Sequence, residues 1–201
     1  MHRHRSSEWP RQPGALRAVI ADDSYLVREG VRRLLLDGAE VDVVADAATA
    51  TELARRVQEH QPDAVLTDIR MPPGHGMDGI LAALQIRKEQ PTTGVIVLSQ
   101  HADASYAQAL FREGTTGLAY LLKERVGDRD ELIRALRAVV AGGSVVDPLV
   151  VDALLAAHVL FPTPRCTAPS PTQAATRPRR VQCLKPRRRQ AITRAEIVPS
   201  R

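Results

Sequence analysis

Ala64-Val65-Leu66-Thr67-Asp68-Ile69-Arg70-Met71-Pro72-Pro73-Gly74 is the stretch that decides the fold. An aliphatic run that ends on an acid and enters a Pro/Gly loop reads as a buried strand carrying a carboxylate to the C-terminal edge of a parallel sheet. Open α/β sheets place their sites in the crevice beyond that edge. Working outward, the run Val19-Ile20-Ala21 ends on Asp22-Asp23, Val95-Ile96-Val97-Leu98 ends on Ser99, and Leu118-Ala119-Tyr120-Leu121-Leu122 ends on Lys123. Three acids, a hydroxyl and an amine are therefore expected on one edge of one sheet.

Between these runs lie segments with apolar residues at helical spacing, the alternation that marks βα units. Strands are expected at about Arg17–Ala21, Val41–Ala45, Ala64–Thr67, Val95–Leu98 and Leu118–Leu122. Helices are expected at about Ser24–Leu36, Ala48–His60, Ile80–Glu89, Ala104–Glu113 and Asp130–Ala141. Gly38, Gly114 and Gly142-Gly143 sit where helices should stop. The fold class is α/β: a doubly wound, five-stranded parallel sheet. A further short helix is expected at Pro148–Ala157, with Asp147 at its N-cap and Pro148 in its first turn. The expected domains are an arm at 1–15, a globular body at 16–143, a linker helix within 144–158 and a tail at 159–201.

Charge is unevenly placed. The net +5 hides an acidic body, residues 16–158 with 15 basic and 21 acidic side chains, and a tail with 10 basic and 1 acidic. That tail holds 7 of the 14 prolines and almost no apolar periodicity, so it and the arm are expected to be disordered. Its runs Arg177-Pro178-Arg179-Arg180 and Lys185-Pro186-Arg187-Arg188-Arg189 suit nonspecific phosphate contacts, but no aromatic residues are interleaved for reading bases. The abrupt change near residue 159 reads as translation in a wrong frame. Cys166 and Cys183 lack a metal or redox spacing and read as incidental. No segment reaches 18 consecutive apolar residues and the N-terminus has no apolar signal core, so a cytoplasmic chain without a membrane span is expected.

Carboxylates held close together repel unless positive charge lies between them. A hard divalent cation with oxygen ligands satisfies them, and Mg²⁺ suits a site with few protein ligands and room for phosphate oxygens. A carboxylate beside it can attack phosphorus. A lysine and a hydroxyl then offset charge on the phosphoryl oxygens.

With Ala21-Asp22-Asp23-Ser24, Leu66-Thr67-Asp68-Ile69-Arg70-Met71-Pro72, Leu98-Ser99 and Tyr120-Leu121-Leu122-Lys123 in this order, residues 16–145 resemble the receiver domain of two-component response regulators, the CheY-like fold. The resemblance implies strand order 2-1-3-4-5 and makes Asp68 the phosphoacceptor for a sensor histidine kinase. It implies Mg²⁺ bound by Asp23 directly, by Asp22 directly or through water, by Asp68, and by the main-chain carbonyl of Arg70. Lys123 would pair with the phosphoryl group, Ser99 would turn inward to it, and Tyr120 would follow into the space vacated. The α4-β5-α5 face would switch, self-association would strengthen, and no turnover enzyme is implied. Leu121-Leu122-Lys123-Glu124-Arg125-Val126 and the long Met71–Gly79 loop resemble the NarL/LuxR class, especially its actinobacterial members. That class continues from a linker helix into a helix-turn-helix domain and controls transcription; nothing in 159–201 reads as that domain, which argues against DNA binding. Many receivers carry a cis proline after the lysine. Here Glu124 stands there, and the geometry of that bond is open.

Two other classes compete. A Mg²⁺-dependent aspartyl-phosphate phosphohydrolase of the haloacid dehalogenase type wants a second acid two residues after its nucleophile, where this chain has Arg70. A DNA-binding regulator would have to act through the basic tail. His75 and His101 flank the site and read as surface residues, and Arg70 reads equally as a tuner of phosphate lifetime or a solvated side chain.

Overall fold

The computed structural model describes residues 14–160. Its elements run β1 (Leu16–Ala21), α1 (Tyr25–Leu36), β2 (Val41–Ala47), α2 (Ala50–His60), β3 (Ala64–Asp68), α3 (Asp78–Glu89), β4 (Gly94–Ser99), α4 (Ala104–Phe111) and β5 (Leu118–Leu122), then a 3₁₀ segment (Lys123–Gly127), α5 (Arg129–Val140), β6 (Val145–Val146) and α6 (Pro148–Leu160). The sheet is parallel in every pairing, in the order β2-β1-β3-β4-β5-β6.

Residues of a strand alternate between faces, and here both faces are apolar, as expected of a sheet covered on each side. Val19, Ala21, Val65, Val95, Val97, Leu118, Tyr120 and Leu122 point to one side, where Leu53 and Val57 of α2, Ile80, Ala83 and Ile86 of α3 and Ala107 and Leu110 of α4 bury against them. Ala18, Ile20, Ala64, Leu66, Ile96, Leu98, Ala119 and Leu121 point to the other, under Val31 and Leu35 of α1 and Leu132, Ile133, Leu136 and Val139 of α5. With few aromatics available, interdigitated aliphatic side chains fill both layers.

Helix starts follow local chemistry. The Thr49 side chain accepts from the Glu52 amide, the Asp103 side chain from that of Ser105 and the Asp128 side chain from that of Glu131, each satisfying an orphan donor of a first turn. Ser24 occupies the N-cap position of α1 without a side-chain cap bond. The Asp22 carboxylate takes the Ser24 amide instead, at 2.9 Å.

The structure departs from the sequence expectation in its strand count and adds two points to it. The sheet has six strands, not five: Val145 and Val146 pair with Ala119 and Tyr120 beside β5. Two residues after a Gly-Gly stop are too few to register as a strand in sequence. The helix expected to be a linker lies against α4, with Val150 fully buried in the core cluster. The Lys123–Glu124 bond is trans; among the described residues the one cis bond joins Pro72 and Pro73. The expectations for residues 1–13 and 161–201, including Cys166, Cys183 and the arginine runs, lie outside the described residues. Among the described residues, no helix is long and apolar enough to cross a membrane.

The strand order reverses direction of growth at β1, which lies between β2 and β3. The register sets Ala21 beside Thr67, Asp68 beside Leu98 and Ser99 beside Leu122. The residues that leave these strands therefore emerge together at the crevice of the switch point.

Candidate functional site

Asp22, Asp23, Asp68, Ser99, Arg70 and Lys123 line one cleft of about 410 Å³, with His75, His101, Asp103 and Tyr106 at its walls. Tyr120 lies beneath it, fully buried. Each acid offers a carboxylate oxygen, and these oxygens lie within 4.8 Å of one another. Lys123 reaches two of the three acids: its Nζ is 2.6 Å from Asp22 Oδ2 and 3.1 Å from Asp68 Oδ1. One ammonium thus bridges two buried carboxylates, while Asp23 is exposed. Three hard oxygen donors with a surplus of negative charge form a set that can hold a divalent metal ion.

The electrostatics follow from burial and this uneven compensation. Burial pushes the Asp68 carboxyl above the usual carboxylate range; Lys123 pulls it back, and Asp22 pushes it up again. For Lys123, burial favours the neutral amine, but hydrogen bonding and attraction from Asp22, with attraction from Asp68, outweigh it and hold the ammonium above its ordinary value. The pair is thus shifted in the same direction, with the Lys123 ammonium favoured and ionisation of the Asp68 carboxyl disfavoured.

A second tier fixes the first. Arg28 donates to the Asp22 main-chain carbonyl at 2.7 Å while its Nε meets Asp46 at 3.0 Å, tying the β1–α1 loop to the end of β2. Thr67 Oγ1 donates to the Asp68 carbonyl at 3.0 Å. Gly79 comes closer than any side chain permits: a Cβ there would stand 1.7 Å from the Asp68 carbonyl oxygen. Its amide donates to the Ile69 carbonyl at 2.9 Å, drawing the start of α3 onto the strand end. Sequence reading placed Gly79 only in a turn-rich loop and gave Arg28 no role. An arginine within a helix carries no local mark of such a contact, whereas the glycine in the first turn of α3 was the available signal.

The two remaining switch candidates meet at one atom. The Ser99 hydroxyl donates to the His101 carbonyl at 2.8 Å and accepts from the His101 amide at 3.2 Å. The Tyr120 hydroxyl donates to the same carbonyl at 3.2 Å. Burial raises the Tyr120 phenol above its ordinary value. The Arg70 side chain reaches across the cleft to α4, donating to the Tyr106 hydroxyl at 3.3 Å with its guanidinium 5.8 Å from the ring centre. Neither His75 nor His101 comes within ion-pair distance of a site carboxylate through its ring; the His101 contacts are all main-chain.

Known proteins share the family and the fold. A family model described as the response regulator receiver domain matches residues 18–137. The transcriptional regulatory protein DegU of Brevibacillus brevis is 38% identical over 140 residues, which cover 70% of this chain and 56% of DegU. The chain thus spans little more than half the length of that relative. A crystal structure of a LuxR-family two-component response regulator from Aurantimonas sp. SI85-9A1 is 31% identical, covers 72% of this chain and 99% of its own, and superposes with a TM-score of 0.60. The isolated receiver domain of RcsB from Salmonella enterica serovar Typhimurium, solved in the presence of the phosphomimetic BeF₃⁻, is 26% identical, with coverage of 70% and 99% and a TM-score of 0.58.

Proposed function

Because this chain belongs to the response regulator receiver domain family, in its NarL/LuxR branch, we propose that Asp68 accepts a phosphoryl group from a sensor histidine kinase and that the α4-β5-α5 face changes in response. The observation that carries this reading is the bridge Asp22–Lys123–Asp68 beside Asp23 at the switch point of the sheet. The RcsB receiver that this domain resembles was solved with a phosphoryl mimic.

The donor set suits Mg²⁺: the carboxylates of Asp22, Asp23 and Asp68 would hold it, with the main-chain carbonyl of Arg70 as a further oxygen ligand. When bound, the ion offsets the charge of the acids and of the phosphoryl oxygens, so that the two can approach. The chain's own residues do the rest. An Asp68 carboxylate oxygen attacks phosphorus; the phosphorus–nitrogen bond of the kinase phosphohistidine breaks, and the imidazole leaves with its electron pair. Lys123 loses its Asp68 partner and follows the negative charge onto the phosphoryl oxygens. Ser99 exchanges the His101 carbonyl for a phosphoryl oxygen, releasing the loop that leads to α4, and Tyr120, already inside, repacks with it. Such a local change biases a two-state face.

Turnover as a phosphohydrolase is disfavoured by Arg70, which stands where a second acid is needed and extends to Tyr106. The relation to DegU, a transcriptional regulatory protein, supports a role in transcription. The test is intact-mass measurement after treatment with acetyl phosphate and Mg²⁺: the chain gains about 80 Da, and Asp68→Asn gains nothing. Equal labelling of the variant, or steady release of phosphate from small phosphomonoesters, overturns the reading.

A further inference from the structure

Asp147 is a fully buried carboxylate outside the cleft. One oxygen, Oδ1, accepts the Leu149 amide at 2.9 Å, and the Asp147 carbonyl accepts the amides of Val150 and Val151, so this residue starts α6. Its own amide donates to the Tyr120 carbonyl on β5. Its other oxygen, Oδ2, makes no hydrogen bond and lies 3.2 Å from Arg125 Nε. Among the described residues Arg125 is the only cation within ion-pair distance of it. Arg125 belongs to the 3₁₀ segment that opens with Lys123. The ammonium at the site and the cation that compensates the α6 cap are thus two residues apart on one short, stiff turn.

We propose that Arg125 is the positioning residue that couples the state of Asp68 to α6: phosphorylation draws Lys123 and the 3₁₀ segment toward the cleft, separates Arg125 from Asp147 and loosens the first turns of α6 from α4. This rests on the reading of Asp68 given above. Phosphorylation removes the negative charge from the Asp68 carboxyl and sets it on phosphoryl oxygens farther into the cleft, so Lys123 must move to stay paired. The main chain of β5 is held by ladders on both sides while its side chains repack, which leaves the backbone displacement to the 3₁₀ segment. Arg125 holds Asp147 through one nitrogen, with no second contact to absorb the shift. A buried carboxylate left without its cation draws water to itself, and the turn it caps opens.

Hydrogen exchange on the full chain, read over 149–157, tests this. Acetyl phosphate and Mg²⁺ supply the phosphoryl group, with acetate leaving. In the wild-type chain exchange over this segment rises about tenfold on phosphorylation. In Arg125→Gln it is already raised, and phosphorylation adds nothing while the mass gain at Asp68 stays complete. A merely structural role of the pair leaves the phosphorylation-dependent rise intact in the variant, and that outcome overturns the proposal. Asp147→Asn, which keeps an acceptor for the Leu149 amide but removes the charge, repeats the test should Arg125→Gln fold poorly. A labelled wild-type chain whose α6 exchange is unchanged or slower refutes the coupling alone. A chain that takes no label removes the reading of Asp68 and the coupling together.

Discussion

Asp68 carries an electrostatic penalty that the fold tolerates for the sake of the site. Because its carboxyl is held above the usual range, the folded chain binds a proton there more tightly than the unfolded chain does. The stability this provides is fully present below the unfolded value of about 3.9 and is lost as pH rises through the folded value. Asp68→Asn, neutral throughout, is therefore expected to melt above the wild type at pH 7 without metal, with the gap closing as the pH is lowered toward 4; equal melting temperatures at pH 7 would contradict this. Lys123 has the opposite importance. Its ammonium sits between Asp22 and Asp68, so Lys123→Ala leaves two carboxylates uncompensated and should cost about 3 kcal/mol in urea unfolding, with Mg²⁺ restoring part of the loss. The Lys123 contribution is present at neutral pH and disappears only as pH rises through its raised folded value.

At the scale of the element, Gly79 joins a helix to a strand end at a distance no other residue allows. Gly79→Ala forces the start of α3 away from β3 and is expected to destabilise the chain by about 2 kcal/mol or more, seen as a lower urea midpoint and a weaker response to Mg²⁺. The elements themselves were legible because each strand is a run of aliphatic residues ending on a residue of distinct chemistry. Asp22, Asp68, Ser99 and Lys123 all lie where the strand ends were read, and the structure brings them to one cleft. Boundaries were less legible. The β2 strand runs two residues past Ala45 because Asp46 can point to solvent and meet Arg28 and Arg32. The α3 helix begins two residues early, at Asp78, since its start is set by the contact of Gly79 with the strand end rather than by a polar cap. Long-range partners such as Arg125 for Asp147 and Arg28 for Asp22 leave no trace in local pattern, because they depend on how separated segments pack.

At the scale of the molecule, an acidic body carries its three-acid cleft at one edge with α4, β5, α5 and α6 beside it, so a charge relocated there, as proposed for phosphorylation, is expected to reach several elements. Phosphorylation is expected to strengthen self-association through the α4-β5-α5 face: sedimentation velocity at about tenfold dilutions should show a larger weight-average coefficient for the phosphorylated chain, and identical behaviour of the two forms counts against it. Everything at this scale depends on which atom takes the phosphoryl group. The measurement that decides it is borohydride reduction of the labelled chain followed by mass spectrometry of its peptides, since reduction converts a phosphorylated aspartate to homoserine. The account predicts homoserine at position 68 and at no other acid; homoserine at position 22 or 23, or a label that resists reduction because it sits on a histidine, would contradict it.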